Sequence, residues 1–451
     1  MKRYEEYKDS GVEWIGEIPE GWEVVKLGYI FDFKRGLNIT KDDLVDTGIP
    51  CISYGEIHSK YGFEIIPEIH DLKCVDEVYL KTSNNSLLRR GDFIFADTSE
   101  DIKGSGNFTH LNSDTNIFAG YHSIIARLIV EHKCKYRYLA YLFDSQLFRS
   151  QIQSRVSGIK VFSITQTILK NVKVLLPTIY QQEKISIFLD NLICKIDILI
   201  SDKQKLINLL KEKRQAIISE AVTKGLDKNV KMKDSGVEWI GEVPEGWSIK
   251  QFQHIIYNAA NSMVDGPFGS DMKNEEYVDF GIPIIQLNNI GIGEHKLDKL
   301  NYITEKKAED LKRHKAYAGE IVMAKMADPV ARATIISNEY EQYILSADCI
   351  KVKVSANINP NFVVYCLNSY IKTEAELLST GTTRIRINLS IAKKLHIIIP
   401  PLSIQNEIIE YLDLQSLNIY NLITDIQLQI KKLKEYRQSL ISEVVTGKVA
   451  M

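Results

Sequence analysis

Apolar residues fall at alternating spacings of four and three through Ile185, Leu189, Leu192, Ile196, Leu199, Leu206, Leu210 and Ile217, with Lys203 and Lys213 at the two polar positions. That spacing predicts a long helix with a coiled-coil seam. Moved on by 223 positions, the pattern returns as Ile408, Leu412, Ile419, Leu422, Ile426, Leu433, Tyr436 and Leu440, with Gln415 and Gln429 polar. A second stripe runs beside the seam, with Ile193, Ile200 and Ile207 in the first helix and Ile423 and Ile430 in the second. The apolar face is therefore wider than a two-stranded coil needs, and either a partner protein or the chain's own globular parts must cover it. Two helices of about 44 residues, each roughly 66 Å long at 1.5 Å per residue, most simply pack on one another. The polar seam positions read as devices that fix one pairing, with a solvated end as the alternative for Lys213.

Upstream of each helix the pattern shortens to strand-like runs opened by turn residues: GIPCISYGEI at 48–57 and GDFIFAD at 91–97, then GIPIIQLNNI at 281–290 and GEIVMAK at 319–325. Core-helix patterns follow at 136–152 and 361–378, then glycine-bearing loops, SGIKVFSI at 157–164 and TGTTRIRI at 380–387, and strands that end in proline, VKVLLP and LHIIIP. Every piece occurs twice. The clearest copy is KDSGVEWIGEIPEGW at 8–22, which returns as KDSGVEWIGEVPEGW at 233–247 with only Ile18 exchanged for Val243. Its Gly and Pro residues between two tryptophans suit a compact structural turn. The strand frame persists while the loops between strands change, as expected of two modules that recognise different things or of plain drift after duplication. The polar stretch TKGLDKNVKM at 223–232 joins the halves.

Composition narrows the classes. With 451 residues the chain can build two to four domains, and duplication favours an even number. A net charge of -2 and a pI near 6.5 argue against a generic polyanion binder but leave room for a local basic groove. Six scattered cysteines without a CxxC pair fit neither a zinc module nor a disulfide framework, and reduced thiols in a soluble, cytoplasmic protein are the simple expectation. There is no signal-like core at 1–11 and no window approaching 18 apolar residues.

On the doubled entry repeat, on PTIYQQEKI and PPLSIQNEI at the helix starts, and on EKRQAIISEAVTKG and EYRQSLISEVVTGK at their ends, the chain resembles the DNA-specificity subunits of type I restriction-modification systems. The resemblance covers nearly the whole chain; its departure is QQEKI and IQNEI where the family is associated with an EQ-containing start. It implies an α+β fold, with two target-recognition domains related by internal duplication and separated by two long helices that form an antiparallel coiled coil. The corresponding division is 1–178 and 233–400 for the domains, 179–224 and 401–448 for the spacer helices, and 225–232 for the linker. It further implies a non-catalytic subunit in which each domain reads one half of a bipartite asymmetric site on double-stranded DNA. The helices set the spacing and dock methyltransferase (modification) subunits, which recruit restriction/translocase subunits, so that one chain directs both methylation and restriction. No cofactor is expected on this chain; S-adenosylmethionine, ATP and Mg are implied for the partners. The docking and seam residues would include Leu192, Ile193, Ile196, Leu199, Ile200, Leu206, Ile207, Ile419, Leu422, Ile423, Ile426, Ile430 and Leu433.

Base edges are read by Arg, Lys, Asn, Gln and hydroxyl side chains, while phosphates are held by cations and backbone amides, so candidates belong in the loops. In the second domain these are Gly381, Thr382, Thr383, Arg384 and Arg386, then Gly266, Gly269, Ser270 and Lys273 in DGPFGSDMK, and Asn288, Asn289, Lys325 and Arg332. In the first they are Lys34 and Arg35 in FKRGLNITK, Tyr54, Gly158 and Lys160. A solvated surface role is the alternative for each. An enzyme would need motifs that are missing: GxxxxGK[ST], HExxH, or the Asn/Asp-Pro-Pro-aromatic run of an amino-methyltransferase, a test PPLS at 400–403 fails because Ile399 precedes it. A scaffold that binds only proteins would leave two elaborate α+β modules without a task, and salt-dependent DNA binding separates these readings.

Overall fold

The computed structural model describes residues 3–13, 15–158, 160–269, 271–326, 329–379 and 385–451. The chain divides into two compact units that are not its contiguous halves: Met1–Lys203 with Gln427–Met451 form the first, and Gln204–Ile426 the second. The long helices run Ile179–Lys224 and Leu402–Val445. Each unit therefore holds one α+β domain, the start of one long helix and the end of the other.

In the first unit a five-stranded sheet has the order Phe31–Arg35, Ser123–Leu128, Phe93–Ala96, Phe108–Leu111, Phe63–Ile65. Its central strand is buried on both faces because every position is apolar. Phe93 and Phe95 pack with Tyr138, Phe143, Ile185 and Leu189, whereas Ile94 and Ala96 pack with Ile52, Ile57 and Ile125. The second unit repeats this on Ile321–Ala324: Ile321 and Met323 face Phe362, Ile408 and Leu412, and Val322 and Ala324 face Ile285 and Ile290. Register repeats as well, Phe93 opposite Ala126 and Ile321 opposite Val352. Each such buried side chain contributes about 1.5–3 kcal/mol. A buried ion pair crosses the sheet in both units, Arg127 to Asp92 at 2.5 Å and Lys351 to Glu320 at 3.4 Å. Its carboxylate also accepts a backbone N–H, from Arg89 or from Tyr317.

The helix starts are held by one buried glutamine each. Gln182 Oε1 accepts from Lys135 N, and its Nε2 donates to the carbonyls of Lys133 and Pro177; Gln405 accepts from Asn359 N and donates to Pro400 O. About two helical turns further on, Tyr141 donates to Asp190 and Tyr365 to Asp413. The helix ends are clipped by the paired Arg-Gln of their closing motifs: Gln438 Nε2 donates to Asp144 O, and Gln215 Nε2 to Asn368 O. Past each end a left-handed glycine turns the chain away, Gly225 at φ +81° and Gly447 at φ +74°. A Cβ on Gly225 would lie 3.1 Å from the Trp247 ring, and one on Gly447 2.5 Å from Pro19 and 3.4 Å from the Trp22 ring. The duplicated entry repeat is thus a seat for the end of a long helix, and its second tryptophan is buried in both copies.

The antiparallel pairing holds within each unit. Ile185, Leu189, Ile193 and Ile196 share a core with Leu440, Ile441 and Val444, and Ile218, Ala221 and Val222 share one with Ile408, Ile409 and Leu412. One of the two heptad positions of the seam holds, with Leu189, Ile196, Leu412, Ile419, Ile426 and Leu440 buried, and the other is displaced by one residue from the sequence expectation. Ile193 and Ile207 are buried and Ile200 half-buried, whereas Leu199 and Leu206 lie outward, 49% and 45% exposed; Leu192 is half-buried. In the second helix Ile419, Ile426 and Ile430 are buried, Ile423 and Leu433 half-buried, and Leu422 and Tyr436 exposed. At the displaced position the stripe read as secondary is the inner one. At 192/193, 199/200, 206/207 and 422/423 both neighbours are apolar, so spacing alone does not choose between them. Of the polar positions, Lys203 Nζ donates to Gln429 Oε1 at 2.6 Å, and Lys213 is exposed. Among the described residues no helix is long and apolar enough to cross a membrane.

Candidate nucleic-acid interface

Five chain segments meet at one end of the sheet in each unit, held by the same backbone bonds. In the first unit Gly36 N donates to Ser123 O, Gly120 N to Ile52 O, Asp97 N to His122 O and Ile164 N to Asp97 O. In the second, Gly266 N donates to Cys349 O, Ser346 N to Ile285 O, Lys325 N to Asp348 O and Ile387 N to Lys325 O. The glycine is obligatory in both: a Cβ would lie 2.0 Å from Gly120 O on Gly36, and 1.8 Å from Ser346 O on Gly266. Strand ends and their loops thus converge where a rigid sheet fixes them and solvent reaches them.

The polar chemistry at this end differs between units. In the first, His122 sits at φ +53° just before the strand Ser123–Leu128. Its Nδ1 lies 3.1 Å from Asp97 Oδ1 and 3.2 Å from Thr98 Oγ1, and the Thr98 hydroxyl donates to Asp97. Tyr54 and Tyr121 flank the imidazole edge-on at 5.4 and 6.0 Å. Thr98 is fixed in turn through its carbonyl, which accepts from His58 Nε2, and Asn107 binds the other ring nitrogen of His58. In the second unit the matching positions are Lys325 and Asp348. Asp348 accepts from Arg386 Nη2 at 2.7 Å, and the Arg386 side chain is half exposed. Pro267, Phe268, Gly269, Asn288, Ala347 and Asp348 line an open groove there, with Phe268 83% exposed.

Among the sequence candidates, Gly266, Gly269, Asn288 and Arg386 come together here, as do Arg35 and Tyr54 in the first unit. Lys34 lies on the adjoining strand and donates to Asn85 at 3.4 Å. Gly158 and Lys160 are exposed in the loop that leads to this edge, and Lys273 is exposed where it opens the turn Asn274–Glu276. Three candidates are corrected. Asn289 is fully buried; its amide accepts from Gln286 N and donates to Lys296 O and Asp298 O, a turn-closing role that leaves nothing for a base. Lys325 is buried, 3.0 Å from Asp265, and donates to Ala347 O. Arg332 is half-buried, with Nη2 donating to Leu287 O. Ser270, Gly381, Thr382, Thr383 and Arg384 lie outside the described residues. His122, Asp97, Asp348 and Phe268 were missed; pairing the halves by the residue before the strands Ser123–Leu128 and Cys349–Val352 would have found His122 and Asp348.

Burial pushes the thiols of Cys51 and Cys349, beside this end in each unit, up to about 12, so both stay protonated and unreactive. Among the described residues no group of three His, Cys, Asp or Glu is placed to hold a metal ion. The arrangement offers donors, acceptors and aromatic faces at a sheet end.

A family model for the type I restriction modification DNA specificity domain matches residues 19–209 and 269–432. The chain belongs to that family. The matched segments take in most of both α+β domains and most of both long helices. It is 23% identical over 443 residues to the type I restriction enzyme MjaVIII specificity subunit of Methanocaldococcus jannaschii, covering 96% of this chain and 94% of that protein. To the EcoKI specificity subunit of Escherichia coli it is 20% identical over 451 residues, covering 96% and 90%. A solved chain described under complex assembly and conformational transition of the type I R-M system shares the fold at TM-score 0.71 and 16% identity, covering 96% of this chain and 99% of its own. The HsdS subunit of Thermoanaerobacter tengcongensis does so at TM-score 0.52 and 16% identity, covering 96% and 98%.

Proposed function

We propose that this specificity subunit reads a bipartite, asymmetric site on double-stranded DNA, one half through each unit's sheet end. The observation that carries the reading is that both units hold the same five-segment frame, while the side chains exposed on it differ. An identical frame with different donors suits two different half-sites. The outward leucines Leu199, Leu206 and Leu422 offer apolar surface for methyltransferase subunits, with restriction/translocase subunits joining through them. On this reading the chain has no catalytic activity of its own and directs both methylation and restriction, while S-adenosylmethionine, ATP and Mg act in the partner subunits. Mapping methylated motifs genome-wide in cells with and without this gene tests it. The expected result is one interrupted, non-palindromic motif lost with the gene; a palindromic motif, or none, overturns it.

The helices would also act as a ruler between half-sites. Seven residues inserted after Leu199 and after Leu422 preserve the heptad and add about 10 Å, close to 3 bp of duplex. The half-site sequences should stay the same and the preferred spacer should lengthen, with weaker binding because about 3 bp also turns the DNA by roughly 100°. An unchanged optimum at full affinity would show that the helices do not set the gap.

A further inference from the structure

The two sheet ends share one device. A residue directly before the strand at one side of the frame and a residue directly after the central strand are joined backbone to backbone, Asp97 N to His122 O and Lys325 N to Asp348 O. In each unit one aspartate of this joint holds an exposed nitrogen side chain in place. In the first unit the aspartate follows the central strand, and Asp97 holds His122. In the second it precedes the neighbouring strand, and Asp348 holds Arg386, which reaches the joint through a bridge to Met326. The first unit's bridge at that place is Ser163 to Thr98, and Thr98 completes the hold on His122. The carboxylate has moved from the end of the central strand to the start of its neighbour, and the held group now comes from the segment bridged to Met326, while the frame stayed put.

We propose that these two held groups, His122 and Arg386, are the residues that set one base pair of specificity in each half-site, with Asp97 and Asp348 as their positioning residues. The inference rests on the DNA-reading function above and names its determinants. A long side chain on a loop loses rotamer freedom when it reads a base, and a carboxylate that has already fixed it removes part of that cost. Asp348 occupies one N–H of the Arg386 guanidinium and leaves the others for a neighbouring acceptor pair, a geometry that guanine N7 and O6 match. Nδ1 of His122 is held by Asp97 and Thr98, which leaves Nε2 of the exposed side chain for a base edge. The backbone of His122 is left-handed, uncommon for a residue other than glycine, and turns the ring outward between Tyr54 and Tyr121.

The test selects bound DNA from a library randomised in both half-sites at fixed spacer, using the full chain in complex with its methyltransferase partner. His122→Gly keeps the left-handed backbone and should flatten preference at one position of one half-site by about 5- to 150-fold, leaving the other half-site unchanged. Arg386→Ala should do the same at one G·C pair of the other half-site. Arg386→Lys, which keeps the charge without the fork, should lose the G·C preference while the salt dependence of binding holds. Asp97→Asn and Asp348→Asn should flatten the same positions as their partners, to a smaller degree, a pattern a merely structural role would not give. Uniform loss across all sequences, or unchanged preferences in variants that melt like the parent, overturns the inference while leaving the broader function standing. A parent complex with no sequence preference overturns both.

Discussion

Where the long helices meet the domains, the two units use the same side chains for the same bonds: Gln182 and Gln405 at the starts, Tyr141–Asp190 and Tyr365–Asp413 beyond them, Gln438 and Gln215 at the ends. At the sheet ends the same frame carries Asp97 and His122 in one unit and Lys325, Asp348 and Arg386 in the other. The contrast follows from what each place tolerates. A buried glutamine that satisfies two or three backbone groups has no substitute that does not strand them, at about 1–3 kcal/mol each. An exposed strand end carries no such cost, so its side chains are free to change with the ligand they meet.

The helix side of this comparison breaks most readily at the seam. Ile193→Ala should cost the first unit about 2–5 kcal/mol and Ile426→Ala the second a similar amount, whereas Leu199→Ala should cost under about 0.5 kcal/mol. Thermal melts of the three variants check both positions of the seam, the displaced one at Ile193 and Leu199 and the expected one at Ile426, and equal losses at Ile193 and Leu199 would restore the register read from spacing alone.

Acid should act on the first unit through His110. Burial lowers this imidazole from 6.5 to about 4, while its Nδ1 donates to Phe63 O at 2.6 Å and its Nε2 is left without a partner. Glu64 Oε1, at 3.6 Å from Nε2, is too far to accept a hydrogen bond. Because the folded value is depressed, the neutral ring is favoured in the folded state and unfolding takes up a proton. Stability is therefore full above pH 6.5 and falls as pH drops toward about 4, by about 3 kcal/mol at 1.36 kcal/mol per unit. The matching position in the second unit is Ile335, across from Ile321 as His110 is from Phe93. Denaturant titrations at pH 7 and pH 4.5 should show His110→Leu losing less on acidification than the parent; parallel losses would place the sensitivity elsewhere.

Gln182→Ala and Gln405→Ala should each cost at least about 1–3 kcal/mol, and by comparable amounts. Urea midpoints measure this, and a large effect in one unit alone would mean that the shared bonds are not shared energetics. The smallest stability effect belongs to the sheet ends: Arg386→Ala removes one half-exposed ion pair and should change stability by under about 1 kcal/mol while altering DNA selection.

The duplication, the two-domain α+β plan and the long helices were legible in the chain because apolar period and exact repetition survive without any knowledge of partners. The inner stripe was not, since Ile193 and Leu192, or Ile207 and Leu206, are equally apolar neighbours and only packing separates them. Asn289 misled for a related reason. An asparagine after a strand suits a base contact and a turn closure alike, and burial decides. His122 and Asp348 sit in no motif and Asp97 only closes the run GDFIFAD, and their partnerships depend on strand ends brought together from residues 25 and more positions apart.

The division of the units along the chain also sets an order of assembly during synthesis. The second unit is a single stretch, Gln204–Ile426, and can close as soon as it has left the ribosome. The first unit, though made earlier, needs Leu440, Ile441 and Val444 to cover Ile185, Leu189 and Ile193. At about 5–20 residues per second, that last part of the core is made roughly ten seconds to a minute after Ile193. For that interval the core of the first unit lacks the side chains that the closing helix supplies, and the earlier-born domain is the last to be finished.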